Sequence, residues 1–237
     1  MTNKNQIKNN HEKYMQQRDQ EEQKVTEAVH KLVLQIDKDP DNYLHYYELA
    51  TLLLDLKNYE QAEELLLKAL GLFGNQDKLV HDKLVYGLGN VYYAADEYDK
   101  AIAQFQLIND ENLKTDAFMM IAQSYMAKGD SNRALVFALY VQGKRPKDIE
   151  TNLLVADNLL ASGNFSQAGN FYDQVISVDK TNGMANFNRG LVAMVNGEPY
   201  NHYFEIAKQS DPQYFKNSQQ KLADIETFIK TNEHKDN

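Results

Sequence analysis

The stretch "GLGNVYYAADEYDKAIAQF", residues 87–105, decides the fold. It reads as helix, yet Gly89 stands in its middle, where glycine costs roughly 1 kcal/mol against alanine. Aromatic residues gather around it at Tyr92, Tyr93, Tyr98 and Phe105, and a polar break at Asp96-Glu97 divides it. A glycine is held against propensity where a helix must approach something closely. Self-comparison shows the reason. Small residues twelve apart recur as pairs: Ala50 with Ala62, Gly89 with Ala101, Ala122 with Ala134, and Ala156 with Ala168. Successive pairs begin 39, 33 and 34 residues apart, a period that marks a helical repeat array. A polar turn lies inside each pair, at Lys57-Asn58, Asp96-Glu97, Gly129-Asp130 and Gly163-Asn164. Each unit is therefore expected to be two antiparallel helices that approach because the facing positions lack bulk, with aromatic rings filling the wider ends.

Other columns keep this register. Tyr59, Tyr98, Ser131 and Phe165 stand three places before the second small residue. Leu66, Phe105, Ala138 and Tyr172 stand four after it, and Ala69, Ile108, Val141 and Val175 seven after it. Pro146 closes the third unit and Pro40 an earlier half-unit around Ala28, since a proline stops one helix before the next begins. In these columns, over about residues 40–214, the chain resembles the tetratricopeptide repeat (TPR) family, and its Asn, Gln and Lys usage suggests the bacterial type. It departs from the family in having no tryptophan, whose place is taken by Tyr46, Val85, Phe118 and Asn152.

The resemblance implies an all-α fold, a right-handed TPR superhelix (α-solenoid) of about five helix-turn-helix units with capping helices. Units are expected near 43–76, 82–114, 115–148, 149–182 and 183–214. The fifth is degenerate, because His202 stands twelve places after Gly190, and a shortened turn around "NGEPY" is expected to bring Phe204 and Ala207 into their columns. End repeats need cover. Residues 23–39, with Val25, Val29, Leu32 and Ile36 at helical spacing, are expected as the N-terminal cap, and 215–232, with Leu222, Ile225 and Phe228 on one face, as the C-terminal cap. Residues 1–22 are too polar to bury and are expected as a disordered or frayed helical extension, with 233–237 as a tail.

Composition narrows the function classes. There are no cysteines, so thiolate redox and metal chemistry are excluded. Net charge is −9 and no basic stripe is present, which disfavours nucleic acid and anionic membranes as partners. No apolar run approaches a bilayer span or a signal h-region, so the expected compartment is the cytoplasm. Residues 37–48, "DKDPDNYLHYYE", match a calcium loop at Asp37, Asp39, Asp41 and Glu48, but Asn42 stands where the loop needs glycine and Pro40 sits inside it. They read instead as an acidic turn with a helix cap at Asp41 or Asn42. The six histidines share no metal spacing, "GLGN" lacks the setting of a dinucleotide loop, and no nucleophile–base arrangement occurs. No enzyme activity, metal or cofactor is expected.

The resemblance places binding on the concave face lined by the first helices. The positions it implies are Tyr47, Thr51, Tyr86, Asn90, Tyr93, Met119, Gln123, Met126, Leu153, Asp157, Leu160 and Phe187. Two apolar stripes flank a polar one there, and tyrosine and methionine suit adaptable peptide surfaces. Lysines that clamp a chaperone-tail carboxylate in some family members are absent from the matching places, which hold Tyr47, Thr51, Gly87, Asp116 and Met120. The expected function is a non-enzymatic module binding a peptide or protein segment in this groove. A self-associating scaffold that buries the groove or an open end in a homo-oligomer is the alternative. Burial of the same residues within a tight superhelix, or beneath the N-terminal segment, also remains open at this stage.

Overall fold

Each pair of small residues closes a helical hairpin. The computed structural model describes the backbone of residues 2–233 and the side chains of residues 23–231, together with Met15, Arg18 and Gln20. All regular structure among the described residues is helical, and the chain divides into two units, Met1–Asp110 and Glu111–Asn237. The first holds α1 (Thr2–Lys38), α2 (Tyr43–Asp55), α3 (Tyr59–Phe73), α4 (Lys78–Ala94) and α5 (Tyr98–Phe105). The second holds α6 (Glu111–Ala127), α7 (Ser131–Lys144), α8 (Ile149–Ala161), α9 (Phe165–Val178) and α10 (Gly183–Asn196). It continues through α11 (Asn201–Ser210), α12 (Pro212–Asn217) and α13 (Gln219–Glu233). Within each unit every helix packs on its neighbour in sequence, and α12 and α13 both return to α10.

The alanines of the pairs are all buried, and so are Gly89 and Gly190. The glycines do more than thin the hairpin. A Cβ on Gly89 would lie 2.6 Å from Cε1 of Phe105, and one on Gly190 would lie 2.8 Å from Cε1 of Phe204. In both hairpins a ring of the second helix sits against a bare backbone of the first. The expectation that aromatic residues fill only the wider ends is corrected here: the ring occupies the point of closest approach. The same two columns hold Ala50 with Leu66, Ala122 with Ala138 and Ala156 with Tyr172, all buried.

Five turns repeat one backbone solution. Lys57, Asp96, Gly129, Gly163 and Gly197 have φ of 60, 60, 77, 77 and 70°, each seven places after its small residue. The following N–H returns to the carbonyl five residues back, as from Asn58 to Leu53 (2.8 Å) and from Asn164 to Leu159 (2.8 Å). This closure satisfies carbonyls the helix end would otherwise leave open. The fifth turn is not shortened. It stays in phase at Gly197, but four residues rather than three separate α10 from α11. Pro199 offers no N–H and the helix starts late. Helix α11 then meets α10 two places out of register, and Phe204 still reaches Gly190.

Connections between hairpins are capped by side chains. Asn42, Asp148 and Asn182 accept the N–H groups of Leu44, Thr151 and Ala185. Four places into each helix a polar side chain reaches back over the same turn. Tyr46 Oη donates to the Pro40 carbonyl (3.1 Å), Asn152 Nδ2 to that of Pro146 (3.0 Å) and Asn186 Nδ2 to that of Lys180 (3.1 Å). This is the column left without tryptophan; in these three repeats it ties down connections, while Val85 and Phe118 fill it with apolar side chains in the other two. After α5 the same task falls to Asp82, whose carboxylate accepts the N–H groups of Asn109 (2.9 Å) and Asp110 (2.7 Å). Burial pushes this carboxyl up, but those donors and His81 outweigh it and hold it below the usual range.

Several boundaries differ from expectation. Residues 1–22 and 23–39 are not separated: α1 runs unbroken through that point, because its Gln, Glu, Lys and Arg favour helix and no glycine or proline interrupts before Pro40. Helix α4 begins at Lys78, four residues ahead of the expected start, capped by Asp77, which accepts from Leu79 (2.7 Å). The C-terminal cap is two helices, α12 and α13, meeting at the buried Ser218. The expected tail beyond Glu233 and the side chains of residues 1–14 lie outside the described residues.

Nothing lies within 4 Å of a Cβ built on Gly129 or Gly163, so a methyl group there meets only the left-handed backbone. Gly129→Ala and Gly163→Ala should each cost about 1–2 kcal/mol. Urea unfolding should show a lower midpoint at unchanged slope, and a loss of no more than a few tenths would refute the shared turn.

Candidate functional site

Helix α2 and helix α4 of the first unit form a narrow cleft of about 70 Å³, lined by Tyr47, Thr51, Leu54, Gly87 and Asn90 among others. Gly87 is required by the Tyr47 ring, whose Cε2 would lie 2.9 Å from an added Cβ. Burial raises the Tyr47 phenol, with Lys83 opposing. Thr51 spends its hydroxyl on the Tyr47 carbonyl (2.9 Å), leaving the half-buried Asn90 amide, which has no hydrogen-bond partner among the described residues, as the polar group of the cleft. Tyr86 and Tyr93 do not line it. Their rings pack on Phe105 (centroids 5.5 Å apart) and Tyr98 (5.7 Å).

The second unit holds a larger cavity, about 520 Å³. Met126 of α6 and Asp157 and Leu160 of α8 meet there, three of the expected positions. Leu191 of α10 and Phe165 at the start of α9 extend the apolar wall. The remaining side is α13, which contributes Lys221, Asp224, Ile225 and Phe228. The Phe228 ring lies 5.5 Å from that of Phe165, centroid to centroid.

The four remaining expected positions of the second unit fall outside this cavity. Gln123 donates Nε2 to Glu150 Oε1 (3.0 Å), bridging α6 and α8. Leu153 is half-buried against the core of the unit. Met119 and Phe187 are corrections, being core residues: Met119 is 7% exposed and Phe187 fully buried. Phe187 is enclosed by Phe204, Tyr214 and Phe215, because α11 and α12 fold over the place where a solvent-facing side was expected. The contribution of α13 was missed. Leu222, Ile225 and Phe228 were legible as one apolar face, but nothing local says that this face lies against the α8–α10 region.

Asp157 is the strongest electrostatic feature of the cavity. Tyr172 Oη (2.5 Å) and Asn188 Nδ2 (2.9 Å) both donate to its Oδ1. Burial raises the carboxyl; Tyr172, nearby Lys221 and Asn188 oppose this without reversing it. The same burial, with the Asp157 charge beside it, pushes the Tyr172 hydroxyl well above its ordinary value. Among the described residues there is no group of three or more metal-ligating side chains, and no helix is long and apolar enough to cross a membrane.

Comparison with known proteins agrees with the repeat pattern. Residues 23–77 and 47–112 match the family model described as tetratricopeptide repeat. No curated protein matches the chain in sequence. Among solved structures, PilF of Pseudomonas aeruginosa is similar at TM-score 0.69 and 16% identity, over 84% of this chain and 90% of that one. YrrB, described as a TPR protein with an unusual peptide-binding site, is similar at TM-score 0.60 and 19% identity, over 80% of this chain and 97% of that one. The C-terminal part of a TPR repeat-containing protein from Cytophaga hutchinsonii is similar at TM-score 0.65 and 14% identity, over 86% and 81%.

A carboxyl raised in the fold makes the folded state bind the extra proton, so stability falls as pH climbs from the unfolded value, about 3.9, through the folded one. Asn at position 157 keeps an acceptor for Tyr172 and Asn188 but does not ionise. The melting temperature of Asp157→Asn relative to wild type should therefore rise between pH 4 and pH 7. A difference independent of pH would contradict the raised carboxyl.

Proposed function

We propose that this chain, which matches the tetratricopeptide-repeat model over residues 23–112, is a non-enzymatic interaction module that holds an extended or helical peptide segment of another protein. The observation that carries this reading is the cavity of the second unit, where Met126, Asp157 and Leu160 line about 520 Å³ of largely apolar space. Binding sites for small groups are concave, apolar and supplied with few polar side chains, and this cavity has that character. The cleft around Tyr47, Thr51 and Asn90 supports a separate, smaller site within the first unit, with the Asn90 amide suited to a peptide backbone. The likeness to YrrB supports a peptide ligand only through the shared fold. Hairpins braced at both ends present these surfaces ready-formed, so the host pays little ordering entropy on binding.

Self-association is the second reading. An exposed apolar row on α7, with Val136 67%, Leu139 44% and Tyr140 37% exposed, favours it, since such patches mark interaction surfaces. Light scattering over a wide concentration range separates the two: a mass that stays monomeric removes the scaffold.

Peptides selected from a random display library against the full chain should bind wild type in fluorescence anisotropy. Leu160→Lys, which sends a charge into the cavity, should weaken them by about tenfold or more, a loss of about 1.4 kcal/mol. Equal binding by a folded Leu160→Lys protein would remove the cavity from the site.

A further inference from the structure

Resting on the peptide-binding reading, we infer that the cavity of the second unit takes a bulky apolar side chain from a partner segment that carries lysine or arginine beside it. The apolar part of the site is lined by Met126, Leu160, Leu191 and Ile225 together with the Phe165 and Phe228 rings. A volume of about 520 Å³ exceeds such a side chain, leaving room for the methylene stem of a neighbouring long residue.

The polar groups decide what that neighbour is. Three charged side chains line the cavity, namely Asp157, Asp224 and Lys221, so carboxylates outnumber ammonium groups. Asp157 is held in place through Oδ1 alone, by Tyr172 and Asn188. Its Oδ2 has no donor among the described residues. Asp224 accepts on Oδ1 from Gln220 Nε2 (2.8 Å) and is exposed. Lys221 pairs with neither carboxylate. Its Nζ donates to Tyr214 Oη (3.3 Å) and lies 5.7 Å from the centre of that ring.

The site therefore presents an oriented, mostly buried carboxylate with an open oxygen, beside apolar walls that strengthen its field. A cation there gains a charge-assisted hydrogen bond and relieves a desolvated charge. An acidic neighbour would bring a further carboxylate to the same spot and be rejected. The net charge of −9 works in the same direction at long range, drawing basic segments toward the chain.

The test uses short labelled peptides of one length against the full-length protein in fluorescence anisotropy, at low and high salt. Each carries a central Phe, Leu or Ala flanked by Lys, Gln or Glu. Phe- and Leu-centred peptides with Lys flanks should bind about tenfold or more tightly than their Glu-flanked counterparts, a preference that shrinks with salt. Ala-centred peptides should bind weakly whatever their flanks. Asp224→Asn lies on an exposed helix face and Asp157→Asn keeps its acceptor, so both variants should fold. Each should reduce the preference for Lys, and the double variant should abolish it. Equal binding of Lys- and Glu-flanked peptides, or a preference unchanged in the folded double variant, overturns the basic partner while leaving a peptide groove standing. Failure of every peptide to bind wild type overturns both readings.

Discussion

A phenylalanine ring seated on a helical glycine is the contact on which the rest depends. Gly89 weakens α4 by its own propensity, yet without it Phe105 could not lie where it does, fully buried. The gain is close packing across the hairpin, where a ring and a bare backbone together fill the space that alanine and leucine fill in the first hairpin. Gly190 and Phe204 repeat the arrangement even though α11 is displaced by two places. A pairing that survives a register shift is set by shape, since the backbone spacing around it has changed. Hairpin geometry in turn sets where the first helices of neighbouring repeats stand, and so where Met126, Asp157 and Leu160 meet.

The two ends of each hairpin are held by different chemistry. One end is a left-handed residue and a returning N–H, which asks little of the sequence beyond tolerance of positive φ. Lys57 and Asp96 show that even glycine is not obligatory there. The other end, where α2, α8 and α10 begin, is a side-chain cap with a second polar group reaching back over the same turn, as with Asn182 and Asn186. The position without tryptophan is met in two ways: Tyr46, Asn152 and Asn186 turn it to hydrogen bonding, while Val85 and Phe118 keep it as apolar packing. Among the described residues the buried Oδ1 atoms of Asn152 and Asn186 have no partner, a cost accepted to secure the connections.

Much of the hairpin architecture was legible in the residues. Small pairs at a fixed spacing and polar breaks between them specify both helices and turn, because each is a local constraint that recurs. The site was legible only in part. Met126, Asp157 and Leu160 could be placed by counting along repeats, since the first helices keep their phase. Phe187 could not, because its burial depends on α11 and α12, which follow a repeat whose register had slipped. Helix α13 is visible in the sequence as an amphipathic segment, and its place at the end of the array marks it as a cap. That it also walls a cavity is a matter of tertiary direction: an apolar face at helical spacing states that it will be covered, never by what. Counting along repeats marks Asp157 as a groove position, but its hydrogen bonds from Tyr172 and Asn188 arise from partners 15 and 31 residues away that no local pattern joins.

The most direct measurement is a double-mutant cycle on the founding contact, by urea unfolding of Gly89→Ala, Phe105→Leu and the combined variant. The pair Ala-Leu is what the first hairpin already carries at Ala50 and Leu66. Each single change should destabilise, the first by overpacking at about 1–3 kcal/mol and the second by leaving a void. The combination should lose less than their sum, with a coupling of at least about 1 kcal/mol. Strict additivity would mean that Gly89 and Phe105 do not answer to one another, and the account of the hairpin would fail.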